Sequence, residues 1–97
     1  MGKTLRKILR HPGAILHEKY LTLLGIEANL LAPSIRVTTG RINNLLTGRQ
    51  PVNADMSIRL GRFFGENDAF WLNLQYDYDL SKAEAENDYS AIRQRAA

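Results

Sequence analysis

The chain has no cysteine, so it can build neither a disulfide framework nor a thiolate metal site. No apolar stretch approaches the ~20 residues that cross a bilayer. The basic run Lys3-Thr4-Leu5-Arg6-Lys7-Ile8-Leu9-Arg10 lacks the continuous apolar segment of a secretion signal, so a cytoplasmic protein is expected. Histidine is scarce: His11 and His17 stand six apart, without the His-x-x-x-His or paired acidic pattern of a metal site. A glycine-rich phosphate loop and a Gly-x-Ser-x-Gly elbow are both missing. Asp77 and Asp79 lie two apart, so on a helix they would face different directions and could not share a substrate. These absences argue against catalysis, a metal or a cofactor. The alternation of β-branched and polar residues that marks strands is also absent. What is present is 97 residues, 44% hydrophobic and 24% charged, the composition of one globular domain. A compact chain of this length has a radius of gyration of roughly 13 Å.

Charge is divided unevenly along the chain. Residues 1–65 carry ten Lys/Arg against Glu18, Glu27 and Asp55, a balance of +7. Residues 66–97 carry Lys82, Arg93 and Arg95 against seven acids, a balance of −4. A basic front suits a polyanion, and the acidic back is suited to another task.

The periodicity is helical throughout. A first helix follows His11-Pro12-Gly13, with Leu16, Tyr20, Leu23 and Leu24 inward and Gly25 as a left-handed cap. A short second helix starts near Glu27 and carries Leu30, Leu31 and Ala32. A third runs from about Thr38 to Thr47 with Ile42, Leu45 and Leu46 inward, closed by Gly48. Asn53 caps a fourth, whose Met56, Leu60, Phe63 and Phe64 share a face before Gly65. Asn67 or Asp68 caps a fifth containing Phe70, Trp71, Leu72 and Leu74. Ser81-Lys82-Ala83-Glu84 has capping-box spacing, and Ala85, Tyr89, Ile92 and Ala96 form a stripe, which predicts an extra C-terminal helix. The expected organisation is a basic arm at 1–10, an all-α five-helix domain at 11–80 and the tail helix at 81–97.

Helices two and three, joined by a tight turn, have helix-turn-helix layout. Opposite Ile42, Leu45 and Leu46, the third helix presents Gly40, Asn44 and Thr47, flanked by Arg41 and Asn43. Asn matches an adenine edge, Arg matches guanine, and glycine lets a backbone approach closely. Thr38 and Thr39 open the same helix, and Arg36 and Arg49 stand on either side of it as phosphate candidates. A solvated polar face is the plain alternative for any one surface helix.

Six of the eight aromatics fall within residues 63–78. They serve either as core or, with the tail stripe, as a two-fold interface, since a domain this small has limited room to bury both. Trp71, Tyr76, Leu80, Tyr89 and Ile92 are the dimerisation candidates, and a dimer would set two recognition helices about one DNA turn, ~34 Å, apart.

The sequence resembles the HigA-type antitoxins, the virulence-associated protein I group within the lambda-repressor-like helix-turn-helix proteins. The resemblance is carried by His11-Pro12-Gly13-Ala14-Ile15-Leu16, Leu31-Ala32, Arg41-Ile42, Leu45-Leu46-Thr47-Gly48-Arg49, Ala54-Asp55, Arg59-Leu60 and Phe64-Gly65. Its most specific part is Phe70-Trp71-Leu72-Asn73-Leu74-Gln75 followed by Tyr78-Asp79-Leu80. The resemblance implies a dimeric repressor that binds its own operator, and a partner toxin, a RelE-like messenger-RNA endonuclease. A solitary regulator and an interaction module without DNA binding are the alternatives. Three positions depart from the pattern. Ala28 replaces a frequent glutamine, Pro33 is expected to disfavour a helical Ala32, and Arg36 replaces a turn glycine. A non-glycine residue there, at positive φ, costs of order 1 kcal/mol.

Overall fold

The computed structural model describes residues 7–96, so Lys3 and Arg6 of the basic arm lie outside the described residues. Five helices and no strand occur among the described residues. The first, α1, is continuous over 12–24: Pro12–Ile15, a π-helical turn Leu16–Leu21, then Thr22–Leu24. It is followed by α2 (Ala28–Ser34), α3 (Thr39–Leu46), α4 (Ala54–Phe64) and α5 (Phe70–Glu86). No helix among the described residues is long and apolar enough to cross a membrane.

The core is Leu16, Leu21, Leu31, Ala32, Ile35, Ile42, Leu45, Val52, Met56, Leu60 and Trp71. The π turn corrects the expected face of α1. It closes with the Thr22 amide donating to the His17 carbonyl, five residues back. One residue more per turn puts Leu16 and Leu21 on one face and rotates the end of the helix. Leu23 and Leu24 are consequently 73% and 59% exposed rather than buried. Leu30 of α2 and Phe63, expected to share a face with Met56 and Leu60, are exposed as well.

The α1 start presses on α3. A Cβ on Gly13 would sit 1.8 Å from the Leu45 carbonyl oxygen, so only glycine allows this approach. His11 caps the same turn: its Nδ1 accepts the Gly13 amide at 2.9 Å, and its ring meets Tyr78 of α5 edge-on at 5.1 Å. Thr38 and Asn53 cap α3 and α4 in the same way, accepting from Arg41 N and Met56 N. Asn67 supplies the side-chain oxygen before α5, to Ala69 N.

Buried polar groups tie α5 to the bundle. Gln75 Oε1 accepts the Val52 amide at 2.9 Å, and Ser57 Oγ accepts the Leu72 amide while donating to the Asp68 carbonyl. Glu66 accepts from both Trp71 Nε1, at 2.8 Å, and the Tyr20 hydroxyl. Burial first, and then the Glu66 carboxylate, push the Tyr20 hydroxyl pKa up to about 12. Tyr20, Phe64 and Trp71 pack ring to ring around that carboxylate.

The extra C-terminal helix expected from residue 81 is not separate. α5 runs through Ser81 to Glu86, and residues 87–96 are not helical. Ser81 does not cap; its Oγ donates to the Tyr78 carbonyl and accepts the Leu9 amide. From Glu86 to residue 96 every residue is exposed, so the molecule measures 51 × 28 × 21 Å. Its radius of gyration is 16.5 Å, above the compact value, because of that elongation.

Burial holds the His11 pKa below its ordinary value, against the opposing pull of Asp79. The neutral ring is the capping form, so its contribution is complete above the unfolded pKa of about 6.5 and is lost as pH falls. Stability is therefore expected to fall as the pH drops from 7 to 5. His11→Asn keeps a side-chain acceptor and flattens the profile in thermal melts across that window. A wild-type profile as flat as the variant's contradicts the assignment.

Candidate nucleic-acid interface

The turn between α2 and α3 is built on a residue that resists it. Arg36 has φ 62°, the left-handed conformation that glycine adopts without penalty. The geometry is a complete helix stop: Arg36 N donates to the Pro33 carbonyl and Val37 N to the Ala32 carbonyl. Arg59 of α4 secures it, with Nη1 donating to the Ile35 carbonyl at 2.8 Å and the Arg36 carbonyl at 3.4 Å. Asp55, four residues before Arg59, accepts from its Nε at 2.9 Å and from Arg41 Nη2 of α3 at 3.3 Å. The hydrogen bond from Arg59 and then that from Arg41 hold the Asp55 carboxyl below its ordinary pKa.

Pro33 does not interrupt α2, contrary to the expectation at Ala32. The helix includes both residues and ends at Ser34. The amide that proline lacks would have met the carbonyl of Asn29, and both residues lie on the exposed side. Ala28, the other departure, packs against the core.

α3 has two distinct sides. Ile42 and Leu45 are buried, and Leu46 packs half-buried beside them. Thr39, Gly40, Asn43 and Thr47 are exposed, and Asn44 is half-buried. Nothing lies within 4 Å of a Cβ placed on Gly40, so the fold does not require glycine there. α3 ends in the same stop as α2, with Gly48 at φ 75° and the Arg49 amide on the Asn44 carbonyl.

The structure brings the candidate residues together but divides them. The side chains of Arg36, Thr39, Asn43, Asn44 and Arg49 hold no hydrogen-bond or ion-pair partner among the described residues. Thr38 is occupied as the cap of α3. The Thr47 hydroxyl is turned back to the helix, donating to the Asn43 carbonyl at 2.9 Å. Arg41 is held by Asp55 at the edge of the face. Sequence reading missed the Asp55–Arg59 pair, although its i, i+4 spacing is a legible signal.

The dimerisation candidates separate as well. Trp71 is fully buried, which removes it from any surface interface; its indole is core, fixed by Glu66. Tyr76, Leu80, Tyr89 and Ile92 are 55%, 62%, 48% and 75% exposed. The first two lie one turn apart on α5, and the last two lie past its end.

No family-level sequence model matches the chain. It is 43% identical over 74 residues to virulence-associated protein I of Dichelobacter nodosus, covering 76% of this chain and 68% of that protein. Its fold matches the Pseudomonas aeruginosa antitoxin HigA, solved with the higBA promoter, at TM-score 0.77 and 37% identity. That match covers 84% of this chain and 87% of the other. Antitoxin GraA in complex with its operator matches at TM-score 0.85 and 34% identity, over the full length of both chains.

Proposed function

The chain belongs to the HigA-type antitoxin family of helix-turn-helix proteins, and from that premise we propose that it binds the operator of its own operon as a two-fold dimer, represses transcription and neutralises a RelE-like endonuclease. Family membership makes it a DNA-binding regulator rather than an enzyme. The observation that carries the reading is the outward side of α3. Asn43 and Asn44 stand beside a glycine the fold does not need, with the exposed cations Arg36 and Arg49 at either end. Asparagines read base edges and the flanking arginines reach phosphate. The two-fold dimer is supported by the exposed Tyr76 and Leu80 on α5, large apolar side chains that a second copy would cover. Two copies would then carry two α3 helices to successive major grooves, ~34 Å apart.

A toxin that binds RNA is expected to be basic, and α5 offers it Asp77, Asp79, Glu84 and Glu86. Co-expression with the neighbouring reading frame tests this part. The combined variant Asp77→Lys, Asp79→Lys, Glu84→Lys and Glu86→Lys is expected to lose neutralisation. Normal neutralisation by that variant rules the acidic surface out.

The DNA reading is tested by separating positioning from base recognition. Arg49→Ala is expected to weaken operator and scrambled duplex together and to flatten the log-affinity against log-salt slope by about 1. Asn44→Ala is expected to cost about 1–3 kcal/mol on the operator, little on scrambled DNA, and to leave the slope alone. Titrations of both variants at several salt concentrations measure this. If the two variants behave alike, α3 does not insert with Asn44 toward the bases.

A further inference from the structure

We infer that Asp55 is a specificity-determining residue: it positions Arg41 at the edge of the reading face and withholds that cation from indiscriminate contact with DNA. The inference rests on the reading that α3 enters the major groove. Asp55 lies in the first turn of α4, and one oxygen, Oδ2, takes hydrogen bonds from Arg59 Nε at 2.9 Å and Arg41 Nη2 at 3.3 Å. Arg59 in turn holds the Ile35 and Arg36 carbonyls of the turn. A single carboxylate therefore links the turn, α4 and α3.

Stability does not account for this arrangement. The carboxylate is 51% exposed and both guanidinium groups are 36% exposed. Ion pairs this open contribute little to folding. Arg59 Nη1 reaches the turn carbonyls by itself, without passing through Asp55. The position of the charge matters more. Asp55 stands beside a helix flanked by Arg36 and Arg49, where an anion works against phosphate.

Non-specific affinity counts the phosphates a protein neutralises, and each adds about 0.9 to the salt slope. Asp55 takes Arg41 out of that count. It engages a single Nη2 of a guanidinium that has five donors, so the other donors stay available while that bond restrains the group. A restrained guanidinium is matched only by a duplex that presents an acceptor at that place. An untethered one follows phosphate on any sequence.

The test uses the intact protein and four forms: wild type, Asp55→Asn, Arg41→Gln and the double variant. Each is titrated with the duplex lying upstream of its own gene and with a scrambled duplex of the same composition, over a series of salt concentrations. Asp55→Asn is expected to bind the scrambled duplex about five- to tenfold more tightly near 0.1 M salt, with a slope steeper by about 1. Its preference for the upstream duplex over the scrambled one is expected to fall, because positioning of Arg41 is lost while attraction to any phosphate rises. In the Arg41→Gln background the gain on scrambled DNA shrinks to about twofold or less, as the cation that would provide it is gone.

A gain cannot come from damaged folding, which lowers affinity on both duplexes. Unchanged or weaker binding of Asp55→Asn to scrambled DNA overturns the inference, and so does an undiminished gain in the double variant. If wild type binds the two duplexes equally, the operator reading fails and this inference with it. If wild type prefers the upstream duplex while Asp55→Asn leaves scrambled binding unmoved, only the role of Asp55 fails.

Discussion

Everything on the outward side of α3 depends on how the helix is seated from behind. The first turn of α1 lies so close to the Leu45 carbonyl that position 13 admits no side chain. Ile42 and Leu45 fill the core beneath, and a Cβ on Gly48 would lie 3.8 Å from the His11 ring, so the cap of α1 also packs on the end of α3. Close-packed contacts of this kind tolerate little displacement, because interiors approach crystal density. With its inner side fully used, α3 needs nothing from its outer side for stability. That is why Gly40, Asn43 and Asn44 are available for another purpose.

The charge imbalance along the sequence takes on a narrower meaning in three dimensions. Several cations of the basic front are already partnered: Arg10 with Glu18, Arg41 and Arg59 with Asp55, and Arg62 with Asp68. These exposed pairs contribute little energy individually. Their effect is to direct the field. Arg36 and Arg49, at the two ends of α3, are the cations set directly beside the outward face. Glycine at position 36 would relieve the strained backbone but would remove a charge beside α3.

Much of this was legible in the sequence, and the failures have identifiable causes. Caps announce themselves locally, so His11-Pro12, Asn53 and Gly48 each fall at the helix end their chemistry indicates. The two-sided pattern of α3 is likewise a matter of 3.6-residue spacing. Leu23 and Leu24 depart from the expected face because a π turn shifts the register after Leu16, which 3.6-residue spacing does not anticipate. Ser81-Lys82-Ala83-Glu84 imitates a helix start, yet the hydroxyl serves a tertiary bond to Leu9, far away in sequence. Pro33 passes as helical because its missing donor faces outward near the helix end. Trp71 reads as core or as interface until the partner of its indole, Glu66, is known. The i, i+4 link from Asp55 to Arg59 can be read from spacing, but the reach of Arg59 to Ile35 is a property of the fold alone.

The central claim is that the outward side of α3 is kept for DNA and not for folding, and Gly40 tests it at one atom. The added methyl of Gly40→Ala meets nothing in the protein, and alanine favours helix over glycine by roughly 0.5–1 kcal/mol. The melting temperature is therefore expected to rise by a few degrees, roughly 2–6 °C for a domain of this size. Affinity for the upstream duplex is expected to fall about tenfold or more, ~1.4 kcal/mol, as the methyl holds the backbone away from the groove. A variant that gains stability and keeps full operator affinity would contradict the account.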